Sequence, residues 1–246
     1  MRLTWEPLDP DLLGYDFLGE WLKEFYSGAP WHEHLKCYTC AQRDDFGELG
    51  RYGLPAEGEP PVTCCPKCGA ELEPFWTGDR ARSRLDLMRA QGEFAGYVVR
   101  AQGEPVACLW GYLVPTGSAV PGAGAMPGTG MFVDRIMVLP AHRKGIVLLY
   151  LLATLVQQLK RAGCKYVFSR THIDAAEARV LFKRLGFRET GPDPVMPDRT
   201  YWLRSLRGGV GIVGPTRSRG LGRGGGIIHG RPSGLGTLRG SSSRRP

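Results

Sequence analysis

The feature that most constrains this chain is a pair of Cys-x-x-Cys knuckles. Cys37 and Cys40 form the first knuckle and Cys65 and Cys68 form the second, with 24 residues between the two knuckles. Two thiolates from each knuckle complete a tetrahedral zinc site, and the Cys-Pro-x-Cys-Gly form of the second knuckle is typical of a zinc ribbon. Four cysteines leave no open coordination position, so the zinc is predicted to be structural and to fold a segment that is poor in apolar residues.

The remaining cysteines and the neighbouring histidines leave alternatives open. Thiol–disulfide exchange at either knuckle is the alternative to zinc, and His32 and His34 lie near enough in sequence to replace a thiolate. Cys64 does not have the knuckle spacing, so it is left out of the ligand set. Cys108 and Cys164 lie in apolar stretches and are predicted to be buried.

The chain is predicted to hold one folded domain, one insertion and one tail. Residues 31–75 are rich in proline, glycine, acidic residues and paired cysteines, which predicts a zinc-ribbon insertion. Residues 1–30 and 76–206 form the domain that it interrupts. Residues 207–246 are dominated by glycine, arginine and serine, and this composition predicts disorder.

The net charge of +8 comes from the tail, which has eight arginines and no acidic residue. The rest of the chain is formally neutral, so the basic balance says little about the folded domain. Two interpretations of the tail stay open: weak, salt-sensitive binding of nucleic acid, or an extension without a function.

The N-terminal segment MRLTWEPLDPDL has charges and prolines where a secretory signal needs an apolar run. The most apolar stretch, residues 146–156, is shorter than the ~20 residues that span a bilayer. These two observations predict a cytoplasmic protein that does not contact a membrane.

The order of predicted elements indicates a mixed α/β sheet. A strand and a helix precede the insertion, and a helix at 79–90 and a hairpin over residues 93–115 follow it. A strand at 131–140, a helix at 144–161, a strand at 165–172, a helix that opens at Asp174 with a capping box to Glu177, and a final strand complete the order.

Two stretches resemble the GNAT superfamily of N-acetyltransferases. RIMVLPAHRKGIVLLYLLATLV resembles the family's signature strand, basic glycine-containing loop and long apolar helix, and AAEARVLFKRLGF resembles its penultimate helix. The resemblance covers residues 1–30 and 76–206. It implies a mostly antiparallel sheet flanked by helices, acetyl-CoA as co-substrate, and transfer of the acetyl group to an amine acceptor that the sequence does not identify.

The resemblance also assigns the residues that bind CoA. A loop that runs into a helix N-terminus offers unpaired N–H groups to a pyrophosphate, and here it consists of Arg143, Lys144, Gly145, Ile146 and Val147. The strand before this loop splays at a bulge in the family and pairs with the pantetheine arm. Its matching residues are Ile136, Met137 and Val138.

Asp134 is the candidate general base, because family members often have a carboxylate at this position and an ammonium must lose its proton before it attacks. The alternative is an ion pair of Asp134 with Arg135 or Arg100. Tyr201 and His172 are lesser candidates.

The loop and the second motif depart from the family pattern. Phe182 stands beside the predicted CoA sulfur where many members have a tyrosine, so no phenol is available there. Val147, His142 and Ala175 replace a small residue, a basic or amide residue and an asparagine. These departures keep open a non-catalytic module that binds a protein or a nucleic acid.

The insertion is acidic, with seven acidic and three basic residues over residues 41–73. In the family the region between the first two helices borders the acceptor site, so a negative field there favours a cationic amine. A solvated acidic surface is the alternative.

Overall fold

The computed structural model describes residues 2–40, 50–143 and 146–206. The tail, residues 207–246, and two residues of the predicted phosphate loop, Lys144 and Gly145, lie outside the described residues. The strands and helices, in chain order, are β1 (Leu3–Pro7), α1 (Pro10–Leu13), α2 (Tyr15–Tyr26), β2 (Leu35–Lys36), β3 (Arg51–Tyr52), β4 (Glu73–Pro74), α3 (Gly78–Gln91), β5 (Phe94–Ala101), β6 (Glu104–Val114), β7 (Ala119–Val120), β8 (Gly124–Ala125), β9 (Gly130–Val138), α4 (Val147–Arg161), β10 (Tyr166–His172), α5 (Ala176–Arg184), β11 (Arg188–Pro192) and β12 (Arg199–Ser205).

Seven of the strands form one mixed sheet in the order β1-β5-β6-β9-β10-β12-β11. Strands β9 and β10 are parallel, and the other neighbouring pairs are antiparallel. The predicted mixed, mostly antiparallel α/β fold is therefore confirmed.

Helices cover both faces of this sheet. Helices α2 and α3 pack on one face, where Trp21 and Leu85 belong to the same core cluster. Helix α4 packs on the other face, with Leu151 in a second cluster. Neighbouring side chains of β6 point to opposite faces, so Leu109 belongs to the second cluster and Trp110 to the first.

Helix α4 forms because apolar residues recur at four-residue spacing on one face. Its buried stripe consists of Val147, Leu151, Leu155 and Leu159. Lys160 and Arg161 lie in its last turn, where they face the negative end of the helix dipole. Within the described residues, no helix is both long and apolar enough to cross a bilayer.

A bulge interrupts β9 where it runs beside β6. Trp110 pairs with Arg135 and Gly111 pairs with Val133, so Asp134 is the extra residue between them. A Cβ atom at Gly111 would lie 1.8 Å from the carbonyl oxygen of Phe132, so only glycine permits this approach. Bulges redirect side chains and are frequent next to active sites.

A separate sheet of three short strands, in the order β3-β2-β4, lies within the predicted insertion. We call the described residues of 35–74 the cysteine module. The pairing of β2 with β4 extends one residue beyond the module, because the N–H of Phe75 donates to the carbonyl of His34 at 3.0 Å, and the side chain of Phe75 is buried in the core under α2 and α3.

Three local predictions need correction. Strand β11 and the β7–β8 hairpin were not predicted, because their residues are mainly glycine, proline and polar residues without alternation. The capping box at Asp174 is wrong: α5 begins after Ala175 without a side-chain cap. The N–H of Asp174 instead donates to Nδ1 of His172 at 3.1 Å.

Candidate active site and cysteine cluster

A cleft opens where the two parallel strands of the large sheet stop pairing. Strands β9 and β10 pair from Gly130 with Tyr166 to Val133 with Ser169, although both strands continue beyond that point. The cleft encloses a cavity of about 220 Å³. Its walls come from β9, β10, α4, α5 and the end of α2.

The outer end of the cleft carries an exposed arginine and a helix N-terminus. The Nε atom of Arg143 donates to the carbonyl of Val138 at 3.1 Å, and its guanidinium lies 4.5 Å from the ring of Phe25. Helix α4 starts at Val147 without a side-chain cap on its first N–H groups. Uncapped N–H groups and a nearby guanidinium together suit an anion such as a pyrophosphate.

The inner end of the cleft, which we call the deep end, is lined by buried polar groups. Arg135, Thr171 and Arg199 line the cavity and are each less than 10% exposed. The phenol of Tyr26 also lines it, and burial, opposed by the charge of Arg135, raises the pKa of Tyr26 to about 12. Tyr26 is therefore a neutral hydroxyl at neutral pH.

Asp134, the predicted base, lies in a tight ion pair. Both of its oxygens accept from Arg84, with Nε to Oδ2 at 3.0 Å and Nη2 to Oδ1 as the second contact. The indole N–H of Trp110 also donates to Oδ2, at 3.3 Å. Burial alone would raise the pKa of Asp134, but Arg84 and Arg135 outweigh burial and hold that pKa well below its ordinary range.

The main partner of Asp134 is Arg84, which the sequence did not suggest, whereas Arg135, which it did suggest, forms a longer ion pair with Asp134. Arg135 approaches Asp134 only to 3.9 Å, and Arg100 pairs with Glu6 on β1. A carboxylate held by two hydrogen bonds from a guanidinium stays ionised and accepts a proton poorly. The role of Asp134 as general base stays a prediction, and it requires this ion pair to loosen.

Glu33 is a buried acid that the sequence analysis did not single out. Its carboxylate accepts from Nη1 of Arg51 at 3.1 Å and from the indole of Trp76 at 2.9 Å. Arg135 and Arg199 lie 3.6 and 3.9 Å from it. Glu33 therefore connects an arginine of the cysteine module to two arginines of the deep end.

The aromatic residue at the position of the family's tyrosine is packed against other rings. Phe182 lines the cleft and stacks on Trp202, with ring centroids 5.6 Å apart. It also contacts Phe187, at 5.0 Å. The ring is 7% exposed, so Phe182 presents an apolar wall to the cleft and no proton.

A second cavity of about 470 Å³ lies on the α3 side of the sheet. Aromatic rings form much of its wall, with Tyr112, Phe132, Phe168 and Tyr201 among its lining residues. Arg170 lines both cavities and pairs with Asp193 at 2.7 Å.

The four cysteines of the two knuckles come together in the cysteine module. Their sulfur atoms all lie within 4.8 Å of one another. The Sγ atoms of Cys37 and Cys68 are 3.5 Å apart, and those of Cys40 and Cys65 are 3.7 Å apart. A tetrahedron with zinc–sulfur bonds of about 2.3 Å has sulfur–sulfur edges of about 3.8 Å, so this cluster fits zinc.

A backbone N–H group and a tyrosine hydroxyl contact two of the four sulfur atoms. The N–H of Cys40 lies 3.4 Å from Sγ of Cys37, and the hydroxyl of Tyr52 lies 3.2 Å from Sγ of Cys65. The Tyr52 hydroxyl lowers the pKa of Cys65 to about 6, which favours the thiolate form that binds metals. Cys108 and Cys164 are buried in the large domain, as predicted.

A family model identifies the domain that contains this cleft. Residues 66–187 match the model of the acetyltransferase (GNAT) family. The chain carries a GNAT acetyltransferase domain. The match starts inside the second knuckle and includes both splayed strands, α4 and α5.

Solved structures of other GNAT proteins resemble the chain at low identity. The ribosomal-protein-S18-alanine N-acetyltransferase from Escherichia coli is 14% identical, with a TM-score of 0.45 over 83% of this chain and 94% of that one. An acetyltransferase from Thermus thermophilus is 13% identical, with a TM-score of 0.47 over 83% of this chain and 97% of that one. A GNAT family acetyltransferase from Elizabethkingia anophelis with acetyl-CoA bound is 15% identical, with a TM-score of 0.39 over 52% and 84%. A search of curated proteins gave no match.

The residues predicted for the GNAT site separate into two groups. Asp134, Ile136, Val138, Arg143 and Phe182 all line the cleft. Others do not: the side chain of Met137 belongs to the core cluster under α2 and α3, Val147 is buried in the core under α4, and Ile146 is exposed.

Proposed function

We propose that the chain is an acyl-CoA-dependent N-acyltransferase, with acetyl-CoA as the donor that the sequence predicts. The observation that supports this proposal most is the cleft between β9 and β10. It begins at the bulge that holds Asp134, and Arg143 and the N-terminus of α4 lie at its outer end. The second cavity, on the α3 side of the sheet, has no helix N-terminus among the residues that line it.

The residues of the cleft fit acyl-CoA. Arg143 and the first N–H groups of α4 would hold the pyrophosphate, and the strand edge of 136–138 would hold the pantetheine arm. When bound, acyl-CoA supplies a thioester whose acyl group passes to the amine nitrogen as the C–S bond breaks. Leu148 and Leu152 of α4 and Leu181 of α5 line the cleft and exclude water from its middle.

The chain's own proton carriers are few. Asp134 is the proposed acceptor of the amine proton, directly or through water, once its contacts with Arg84 loosen. Phe182 donates no proton, so the leaving thiolate takes one from water. This is tolerable because a thiol has a pKa near ~8.5 and leaves readily as the anion.

Binding without catalysis is the second candidate function. The tight pairing of Asp134 and the missing hydroxyl at Phe182 both favour it. In this case the domain binds acyl-CoA, and the cysteine module and sheet present a surface to a protein or nucleic-acid partner.

We also propose that Cys37, Cys40, Cys65 and Cys68 bind one structural zinc ion. The sulfur–sulfur distances support it, since they match a tetrahedral thiolate site. With four thiolates the ion has no open position for a substrate. Its role would be to hold together strands of only two residues each.

Calorimetry with acetyl-CoA and with CoA tests the proposed function. We expect saturable binding, weakened about tenfold by Arg143→Gln because a charge-assisted contact to phosphate is lost. Arg161→Gln at the opposite end of α4 is the matched control and leaves affinity unchanged. Absence of binding to the wild-type protein refutes the proposal, and binding without turnover of any amine selects the second candidate.

A further inference from the structure

Buried ion pairs surround the deep end of the cleft. Glu33, Asp134, Asp193 and Asp198 are its carboxylates. Five arginines pair with them among the described residues: Arg51, Arg84, Arg135, Arg170 and Arg199. His172 is a further partner of Asp198, at 3.1 Å, and adds no negative charge.

Arg135 is loosely paired with the carboxylates around it. Its two ion pairs, to Glu33 at 3.6 Å and to Asp134 at 3.9 Å, are both longer than a hydrogen bond. Its Nε atom is buried, and no described residue accepts a hydrogen bond from it. The guanidinium also lies against the ring of Tyr26, 4.4 Å from the ring centroid, and this contact fixes its position.

A second polar group in the wall of this cavity also has no hydrogen-bond partner among the described residues. The hydroxyl of Thr171 on β10 is buried, and no hydrogen-bond partner for it exists among the described residues. Thr171 is 2% exposed and lines the same cavity as Arg135. A buried hydroxyl without a partner costs about 1–3 kcal/mol, so two such groups in one cavity indicate a missing polar ligand.

We propose that the deep end binds a carboxylate of a substrate through Arg135 and Thr171. A guanidinium and a hydroxyl are donors, and a carboxylate offers acceptors to both. The inference rests on the proposed acyl transfer and names its substrate class. The carboxylate belongs either to the acyl group, as in a dicarboxylic acyl-CoA, or to the acceptor, as in an amino acid.

This inference narrows the prediction made from the acidic insertion. A negative field near the acceptor site favours a cationic amine, whereas the deep end favours an anionic group. An α-amino acid satisfies both, and so does a simple amine with a dicarboxylic donor. The carboxylate is bound and not consumed. In the reaction the C–S bond of the thioester and an N–H bond of the amine break, and a C–N bond and the S–H bond of the released thiol form.

Two pairs of probes distinguish the sources of the carboxylate. In the donor arm, succinyl-CoA and acetyl-CoA are titrated into the protein by calorimetry. In the acceptor arm, N-acetylglycine and N-acetylglycinamide are titrated, both with saturating CoA and without it. These product analogues have no ionisable amine, so the comparison changes only the carboxylate.

We expect a preference of tenfold or more for the carboxylate-bearing probe in one arm, equivalent to about 1.4 kcal/mol. Arg135→Gln reduces the preference to less than twofold. Thr171→Val, which keeps the side-chain shape and is expected to fold even if the Arg135 variant does not, reduces it several-fold. Arg89→Gln, in an exposed pair with Asp86 on α3, leaves the preference unchanged.

The outcomes separate this inference from the proposed function. A preference below twofold in both arms, or one that survives Arg135→Gln and Thr171→Val, overturns the carboxylate site even when CoA binds normally. If CoA does not bind but N-acetylglycine is still preferred over its amide and the preference needs Arg135, the acyltransfer proposal fails and the carboxylate site stands. If CoA does not bind and no carboxylate-bearing probe is preferred, both the acyl-transfer proposal and the carboxylate site are refuted.

Discussion

Breaking the buried ion pair between Arg84 and Asp134 should destabilise the fold and show how strongly Asp134 is held. The pair joins α3 to the bulge in β9, and its side chains are 6% and 1% exposed. Asp134→Asn keeps an acceptor for the indole of Trp110 but leaves the charge of Arg84 without its tight partner. Arg84→Met leaves a buried carboxylate with only distant compensation.

Each single variant should lower the free energy of unfolding by about 3–5 kcal/mol, the usual cost of removing one partner of a buried pair. The double variant Arg84→Met/Asp134→Leu should cost no more than either single variant, because it removes both charges together. Urea unfolding followed by tryptophan fluorescence measures these differences. Costs below about 1 kcal/mol for both single variants would show that the pair does not tie α3 to β9.

The same pair predicts an acid dependence with a definite sign. The pKa of Asp134 is lower in the folded state than its ordinary value near ~3.9, so its contribution is complete above pH ~5 and is lost as the pH falls below ~4. Asp134→Asn should therefore show a shallower loss of stability in this window than the wild-type protein. An identical acid limb in both proteins would contradict the assigned pKa shift.

The catalytic role of Asp134 can be tested separately from its effect on stability. Turnover is measured at a temperature where each variant is folded, with near-ultraviolet circular dichroism as the check. If Asp134 is the base, Asp134→Asn lowers turnover by about 10²–10⁴ while acetyl-CoA binding changes little. Arg84→Met, by contrast, keeps the carboxylate and moves the pH profile to higher pH. A silent Asp134→Asn in an active protein would place the base elsewhere.

Three further outcomes are expected. Metal analysis should find one zinc per chain, lost in Cys65→Ser and retained in Cys64→Ser, because the thiol of Cys64 is exposed and lies outside the four-cysteine cluster; retention in both variants would refute the zinc assignment. Phe182→Tyr should maintain or raise the rate of acyl transfer, whereas a large loss would show that its packing on Trp202 matters more than a proton donor. Removal of residues 207–246 should leave the melting temperature and acetyl-CoA affinity nearly unchanged, and a clear fall in melting temperature would show that the tail packs on the domain.

The sequence predicted the parts of this protein that depend on local spacing. The Leu-rich stripe of α4, the hairpin of β5 and β6 and the two cysteine knuckles each follow from patterns within a few residues. The splayed strand was also predicted, through the resemblance of residues 135–156 to the family, and the structure places its bulge at Asp134.

The charged interior of the cleft could not be predicted in this way. Arg84 and Asp134 are 50 residues apart, and Glu33 contacts Trp76 across 43 residues. Such pairs depend on how α3 and the cysteine module pack on the sheet. The local periodicity of the sequence does not predict that packing. A possible signal was present: Glu33 is a lone acid within the aromatic and histidine-rich run WHEH, next to a helix end.

Glu33 also makes the cysteine module and the cleft one thermodynamic system. Its carboxylate bonds Arg51 of the module and lies beside Arg135 and Arg199 of the cleft, so an event that displaces Arg51 redistributes the charge that faces a substrate. Linkage of this kind is reciprocal: whatever the cluster gains in affinity for its ion when the cleft is filled, the cleft gains in affinity for its ligand when the cluster is filled. If the cluster binds the proposed zinc ion and that ion positions Arg51, removal of the metal should therefore weaken binding of a ligand in the cleft.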